Sequence, residues 1–82
     1  MEDVILYVKA GDPYSDMTKN LLKYFKVDYD MIEVSRSVKL MEELEQISGQ
    51  SNTPVLKVGE KVFVGFDREK IKEVLGIDED SN

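Results

Sequence analysis

The first half of the chain places its hydrophobic residues in two different patterns. The β-branched and aromatic run at residues 4–8 predicts a short buried strand. Residues 13–25 then carry apolar side chains at helical spacing, which is typical of an amphipathic helix. The predicted buried stripe of this helix consists of Met17, Leu21, Leu22 and Phe25.

A second strand is predicted at residues 27–34, where apolar and polar side chains alternate. The sequence does not decide which face of this strand points inward, because a shift of one residue exchanges the two faces of a strand. The two candidate sets of inward residues are Tyr29, Met31 and Glu33 on one face and Asp30, Ile32 and Val34 on the other.

Another amphipathic helix is predicted at residues 37–48, and Gly49 is well placed to end it. Its apolar positions are Val38, Leu40, Met41, Leu44 and Ile47. Two strand-like runs, at residues 55–58 and 61–64, follow this helix. They flank Gly59-Glu60, a two-residue hairpin signature, and therefore predict an antiparallel pair.

A third helix is predicted after Asp67, whose carboxylate can cap the first turn, and Gly76 is placed to end it. Its buried stripe consists of Ile71, Val74 and Leu75. Residues 78–82 are acidic and lack apolar side chains. We therefore expect one domain at residues 1–77 and a flexible acidic tail at residues 78–82.

The predicted elements follow the order βαβαββα. Helical crossovers make the first strands parallel, and the tight turn makes the last two antiparallel. The chain therefore predicts an α/β fold with a four-stranded mixed sheet flanked by three helices. Many compact α/β domains could share this order, so motifs have to decide among them.

Composition excludes several classes of function. With 17 acidic against 11 basic residues the net charge is −6, which argues against nucleic-acid binding, because that requires clustered Lys and Arg. The chain has no cysteine and no histidine, so neither a disulfide nor a cysteine metal site can form. The amino terminus is acidic, and no apolar run approaches the roughly 20 residues of a membrane span. A soluble, cytoplasmic protein without membrane contact is expected.

The turn at residues 11–16 begins the first helix. Asp12 can accept hydrogen bonds from the first helical amides, and Pro13 fits the first helical position, where a missing N–H costs nothing. Such a cap contributes about 1 kcal/mol. Ser15 has little support as a nucleophile, because the chain has no histidine to activate it.

Three short motifs, in register, resemble those of one family. Residues 7–15, YVKAGDPYS, are similar to Y-x-K-x-x-C-P-Y-C, and residues 48–54, SGQSNTP, resemble S-G-Q-x-T-V-P. Residues 65–67, GFD, are similar to the end of the hairpin in several short bacterial redoxins. With the strand pair between them, these motifs make about residues 4–77 resemble bacterial glutaredoxins and glutaredoxin-like redoxins. The resemblance implies a thioredoxin-like fold in its shortened glutaredoxin form, and thiol-disulfide exchange in which glutathione or protein thiols and disulfides are the partners.

The resemblance places Asp12 and Ser15 at the positions of the family's two cysteines, with Pro13 and Tyr14 retained between them. In the family the first cysteine is the nucleophile, and the helix amino terminus lowers its pKa and so supplies thiolate. The second cysteine resolves a mixed disulfide. Neither replacement can exchange with sulfur near neutral pH, so the chain is expected to be redox-inactive. Asp12 is either a helix cap or a mimic of a thiolate or a sulfinate, and both interpretations stay open.

The resemblance also implies a groove for glutathione. Lys9 would meet the glycine carboxylate of the ligand, and Gln50 would help to hold the same end. The Thr53–Pro54 bond would be cis, although most X-Pro bonds in folded proteins are trans. The backbone of Thr53 would then pair with the peptide of glutathione or of a protein substrate.

Residues 65–67 would hold the γ-glutamyl group, Gly65 through backbone amides and Asp67 through its carboxylate. Phe66 stands where strong glutathione users of the family have a second glycine, which favours the short redoxins that prefer protein partners. No metal site and no covalently bound cofactor are expected, because an iron–sulfur cluster would need thiolate ligands. A monomer is expected.

Two functional hypotheses stay open. In the first, the chain is an altered copy of a thiol-disulfide oxidoreductase in which both thiols have been replaced. In the second, it is a natural, non-catalytic module that binds glutathione or an extended peptide beside Pro54. The first fits slightly better, because drift after a loss of activity should have damaged the neighbouring motif residues. These retained residues are Lys9, Pro13, Tyr14, Gln50, Thr53 and Pro54. A retained binding role would also protect them.

Overall fold

Four strands form one mixed sheet. The computed structural model describes residues 2–78, and its strands are β1 (Val4–Val8), β2 (Asp30–Glu33), β3 (Val55–Val58) and β4 (Lys61–Val64). Their order across the sheet is β2-β1-β3-β4. β1 pairs parallel with β2 and antiparallel with β3, and β3 pairs antiparallel with β4. The predicted mixed sheet and hairpin are confirmed.

Three α-helices cover both faces of this sheet: α1 (Pro13–Tyr24), α2 (Val38–Ser48) and α3 (Arg68–Leu75), with a 3-10 turn at Val34–Arg36. Leu6 of β1 belongs to the core under α1 and α3, and the next residue, Tyr7, belongs to the core under α2. Successive strand residues point to opposite faces, so β1 is buried on both sides. Among residues 2–78, no helix is long and apolar enough to cross a bilayer.

β2 is shorter than predicted, since it begins at Asp30 rather than at residue 27. The cause is the end of α1, where Lys26 adopts a left-handed conformation with φ of 58°. The Val27 amide then donates to the Leu22 carbonyl at 3.0 Å. Because this amide closes the helix, the chain joins the sheet only after it.

Both predicted orientations of β2 assumed that only one face of the strand is buried. The sheet, however, has a hydrophobic core on each of its two faces. Ile32 and Val34 pack in the core under α2, which agrees with the second set. Tyr29 packs against the core under α1 and α3. Met31 is 49% exposed, and it lies on the edge strand β2.

Two residues of the predicted buried stripes lie outside the core. Met17 is 43% exposed, and its place on the buried face of α1 is taken by Ser15 and Thr18, each 1% exposed. Both hydroxyls have partners close in sequence, which removes the cost of burying them; that of Thr18 donates to the Tyr14 carbonyl at 2.9 Å. Val38 is 79% exposed because it is the first residue of α2.

The predicted ends of the third helix are confirmed, since Asp67 caps α3 and Gly76, with φ of 73°, follows it. Ile71 is fully buried, and the neighbouring Lys72 is also buried, with 5% exposure. Its Nζ lies 3.7 Å from the Glu69 carboxylate. Of the predicted acidic tail, residues 79–82 lie outside the described residues.

Candidate functional site

The predicted site lies where β1 ends and β3 begins. Tyr7 pairs with Val55 across these antiparallel strands, so the loop after β1 and the loop before β3 leave the sheet at the same edge. The chain turns from β1 into α1 through Gly11, whose φ of 80° favours glycine. This turn places Asp12 at the amino terminus of α1, against the loop that contains Thr53.

The Asp12 carboxylate accepts hydrogen bonds from Tyr14, Ser15 and Thr53. The Tyr14 amide donates to Oδ1 at 3.0 Å, as the capping hypothesis requires. The hydroxyls of Ser15 and Thr53 donate to Oδ2, at 2.9 and 2.7 Å. Partial burial by itself raises the pKa of this carboxyl. The hydrogen bonds from Thr53, Ser15 and the backbone amides outweigh burial, so the pKa lies below its usual value and Asp12 is ionised near neutral pH.

This network joins two loops that are distant in sequence, since Thr53 lies 41 residues after Asp12. Ser15 is only 1% exposed, so its hydroxyl needs a partner inside the protein, and Asp12 supplies it. The sequence predicted the cap at Asp12 but not the two hydroxyl bonds. The one feature of the sequence that could have indicated a contact between Asp12 and Thr53 is the resemblance of both motifs to one family. That resemblance implied a role for the backbone of Thr53, whereas the contact uses its side chain.

The Thr53–Pro54 bond is cis, as predicted. The Pro54 side chain is fully buried, and its carbonyl accepts a hydrogen bond from the Gly65 amide at 2.8 Å. The one backbone amide of Gly65 is therefore engaged within the protein. Among residues 2–78, the backbone N–H and C=O of Thr53 have no hydrogen-bond partner, which leaves both available to an extended ligand.

The Gln50 side chain orders the loop in front of the cis proline. Its Nε2 donates to the Ser48 hydroxyl at 3.0 Å and to the Asn52 carbonyl at 3.1 Å. Its Oε1 accepts from the Asn52 amide at 2.6 Å. Both amide protons are thus committed to the loop. The hypothesis that Gln50 holds a ligand stays a prediction, and the described contacts give it a positioning role.

The remaining predicted site residues differ in their burial and in their hydrogen bonds. Lys9 is partly buried, and its ammonium group has no ion-pair partner within residues 2–78. Tyr14 is 57% exposed. Phe66 packs against the core under α1 and α3. Asp67 accepts hydrogen bonds from the first amides of α3, at 3.0 and 3.2 Å, through one oxygen, Oδ1.

A cavity lies away from this site, at the end of the sheet where β1 begins. It has a volume of about 510 Å³, and carboxylates together with Lys26 line it. Residues 2–78 contain no group of three or more side chains arranged to hold a metal ion. The chemistry that the structure brings together is therefore at Asp12, Ser15, Thr53 and Pro54.

Comparison with known sequences gives one consistent family. The family description "Glutaredoxin" matches residues 4–63. A glutaredoxin of Neisseria meningitidis is 34% identical over 80 residues, which are 95% of this chain and 94% of that protein. An uncharacterized glutaredoxin-like 8.6 kDa protein in a rubredoxin operon of Clostridium pasteurianum is 30% identical over 70 residues, which are 85% of this chain and 93% of that protein.

Solved structures agree with the sequence matches. The glutaredoxin (grx-1) of Archaeoglobus fulgidus superposes with a TM-score of 0.84 at 30% identity, covering 92% of this chain and 87% of the other. The buckwheat glutaredoxin-glutathione complex superposes with a TM-score of 0.72 at 23% identity, covering 92% of this chain and 71% of the other. At this lower identity the likeness concerns the fold alone.

Proposed function

This chain belongs to the glutaredoxin family, and from that premise we propose that it is a binding member of the family that does not exchange disulfides. It would hold glutathione or an extended peptide where the loop after β1 meets the loop before β3. The observation that carries the proposal is the Asp12 carboxylate, which accepts hydrogen bonds from Tyr14, Ser15 and Thr53 at the position that the sequence resemblance assigns to the nucleophile.

The chemistry of Asp12 and Ser15 argues against exchange. Exchange needs a thiolate to attack a disulfide sulfur, and the chain has no cysteine. The Ser15 hydroxyl could attack only if a base removed its proton. Its partner is Asp12, whose lowered pKa makes it a weak base. The pair is therefore suited to hold structure and to bind, rather than to react.

The junction of these two loops keeps groups that a peptide-like ligand could use. The backbone N–H and C=O of Thr53 have no partner within residues 2–78 and lie directly before β3, where an extended peptide could pair with them. Lys9 supplies a positive charge that is not neutralised within the described residues. A structural relative is known as a glutathione complex, and this supports glutathione as the ligand to test first.

The test combines a titration with an activity assay. We expect glutathione to shift the backbone NMR signals of Thr53 and Lys9 at millimolar concentration, and we expect no reduction of a glutathione mixed disulfide above the buffer rate. Lys9→Gln should weaken binding, because charge pairing with the ligand carboxylate is lost. Lys23→Gln, an equal change of charge in the last turn of α1, is the matched control. Unmoved Thr53 and Lys9 signals, or turnover by the cysteine-free chain, would overturn the proposal.

The hypothesis of an altered oxidoreductase is the second candidate. It is favoured by the contact of 2.9 Å between Oδ2 of Asp12 and Oγ of Ser15, because two thiols at these positions would also be adjacent. This candidate predicts that thiols at both positions restore exchange. Cytoplasmic location, a monomeric state and a preference for protein partners remain predictions.

A further inference from the structure

One side of α1 leaves large apolar side chains exposed. Tyr14, Met17 and Tyr24 are all exposed, and the buried Leu21 completes the series. These four residues follow one another at intervals of three, four and three residues. This is the spacing at which one helix packs against another, because it places the side chains along a single side. We call this row of four residues the α1 seam.

The charged residues beside the α1 seam suit a second copy of the same helix. Asp16 lies in the first turn of α1 and Lys23 in the last, and both are exposed. They are seven residues apart, so they lie on the same side of the helix. If two α1 helices pack antiparallel about a two-fold axis, Asp16 of each copy lies near Lys23 of the other. Asp16 already pairs with Lys19 of its own helix at 3.0 Å, and a carboxylate has acceptor positions for both cations.

The orientation of the two helices follows from the same charges. Antiparallel packing brings the positive amino terminus of one helix beside the negative carboxyl terminus of the other. Parallel packing would instead bring Asp16 against Asp16 and Lys23 against Lys23, and like charges repel. The order of charges within α1 is therefore self-complementary in the antiparallel orientation alone, and this favours a second copy as the occupant.

We infer that the α1 seam is a self-association surface, on which a second copy of this chain packs its own α1 in antiparallel orientation. The surface is small, and copies that each carry a net charge of −6 repel one another. Small interfaces are weak, so we expect a Kd of about 0.1–1 mM. The monomer expected from the sequence then holds at micromolar concentration. The inference does not depend on the proposed function.

Sedimentation of the unchanged chain from about 10 μM to about 1 mM brackets the expected Kd, and the average mass should rise from that of a monomer toward that of a dimer. Met17→Gln replaces an apolar side chain by a polar one of similar size and helix propensity. Because one methionine is lost from each copy, the Kd should rise about tenfold. Met31→Gln is the matched control, since Met31 is similarly exposed but lies on β2, and it should leave the Kd unchanged.

Charge reversals test the antiparallel orientation. Asp16→Lys and Lys23→Glu each place like charges opposite one another at both ends of the pair, so each variant alone should self-associate about tenfold more weakly. Mixed in equal amounts, the two variants should form a heterodimer with about the Kd of the unchanged chain, because every charge then faces its opposite. A folding defect in either variant would persist on mixing, so this recovery reports the interface.

The possible results either support the inference or overturn it. A chain that stays monomeric up to about 1 mM overturns it and leaves the α1 seam to a different protein. Self-association that Met17→Gln does not weaken, or that Met31→Gln weakens equally, also overturns it, because another surface would then be in use. Charge variants that associate singly as the unchanged chain does, or that stay apart when mixed, overturn the antiparallel pairing on which the inference rests.

Discussion

The hydrogen bond between Asp12 and Thr53 joins α1 to the loop before β3, and its removal should destabilise the whole domain. Thr53→Val keeps the shape of the side chain and removes only the donor to Oδ2, which lies 2.7 Å away. A hydrogen bond to a charged group contributes about 1.5–3 kcal/mol. Since Asp12 is partly exposed and water can replace part of the loss, we expect about 1–1.5 kcal/mol for Thr53→Val.

Asp12→Ala should cost more, because it removes the cap of α1 as well as both hydroxyl bonds. The cap alone contributes about 1 kcal/mol. Ser15 is left with a buried, unpaired hydroxyl, which adds a desolvation cost of about 1 kcal/mol or more. We therefore expect a total loss of about 2–3 kcal/mol in the free energy of unfolding.

Urea unfolding of the unchanged chain, both single variants and the double variant forms a double-mutant cycle. The expected coupling free energy between Asp12 and Thr53 is about 1 kcal/mol, within the range for residues in direct contact. Asp67→Ala is the matched control for the cap, because Asp67 caps α3 through two backbone amides. It should cost only about 1 kcal/mol and should show no coupling with Thr53→Val.

Two results would contradict this reasoning. The first is a loss for Asp12→Ala no larger than that for Asp67→Ala, which would reduce Asp12 to an ordinary helix cap. The second is a coupling free energy near zero between Asp12 and Thr53. In that case the contact at 2.7 Å would contribute nothing to stability, and the two loops would be held together by the sheet alone.

Two further predictions concern the charge and the chemistry at position 12. The folded-state pKa of Asp12 is lowered, so its ionisation stabilises the fold above the usual value of 3.8, and this contribution is lost as the pH falls below that value. The free energy of unfolding, measured with urea, should therefore differ less between the unchanged chain and Asp12→Asn at about pH 2 than at about pH 5. A difference that does not change with pH would contradict this prediction. Asp12→Cys with Ser15→Cys should restore disulfide exchange, with the pKa of the first thiol below the free value of about 8.5. Asp12→Cys alone should keep glutathione-dependent exchange, and Ser15→Cys alone should be inert because position 15 is buried; a double variant whose thiol titrates like free cysteine and shows no exchange would refute the assignment of this loop.

The parts of the fold that were predictable have local causes. β1 and the hairpin follow from short apolar runs and from Gly59-Glu60 between two of them. The starts of α1 and α3 follow from the capping carboxylates of Asp12 and Asp67, whose backbone-amide partners are within three residues. Such signals lie within one window of sequence, so they can be read without knowledge of the partner elements.

The parts that were not predictable depend on contacts between distant segments. Thr18 rather than Met17 is buried in α1 because the sheet, not the spacing of apolar residues, sets which face of the helix is covered. Gln50 uses its side chain within its own loop, and no periodic pattern records such a bond. The contact between Asp12 and Thr53 spans 41 residues and becomes visible only when both loops are placed at one edge of the sheet.

If position 12 is the family's nucleophile position, as the sequence resemblance implies, its aspartate separates two properties that a cysteine there would combine. A thiolate at a helix amino terminus is stabilised by the same amides that stabilise a carboxylate there. Asp12 keeps this charge and adds the hydroxyl bonds to Ser15 and Thr53, so the geometry of the loop and of the cis proline does not require sulfur. Reactivity does require it. The fold does not depend on a thiol at position 12, whether aspartate and serine are encoded by the gene or replace cysteine codons at positions 12 and 15. Because both histories lead to one structure, the genomic codons at these positions decide between them, and the binding experiments keep their meaning in either case.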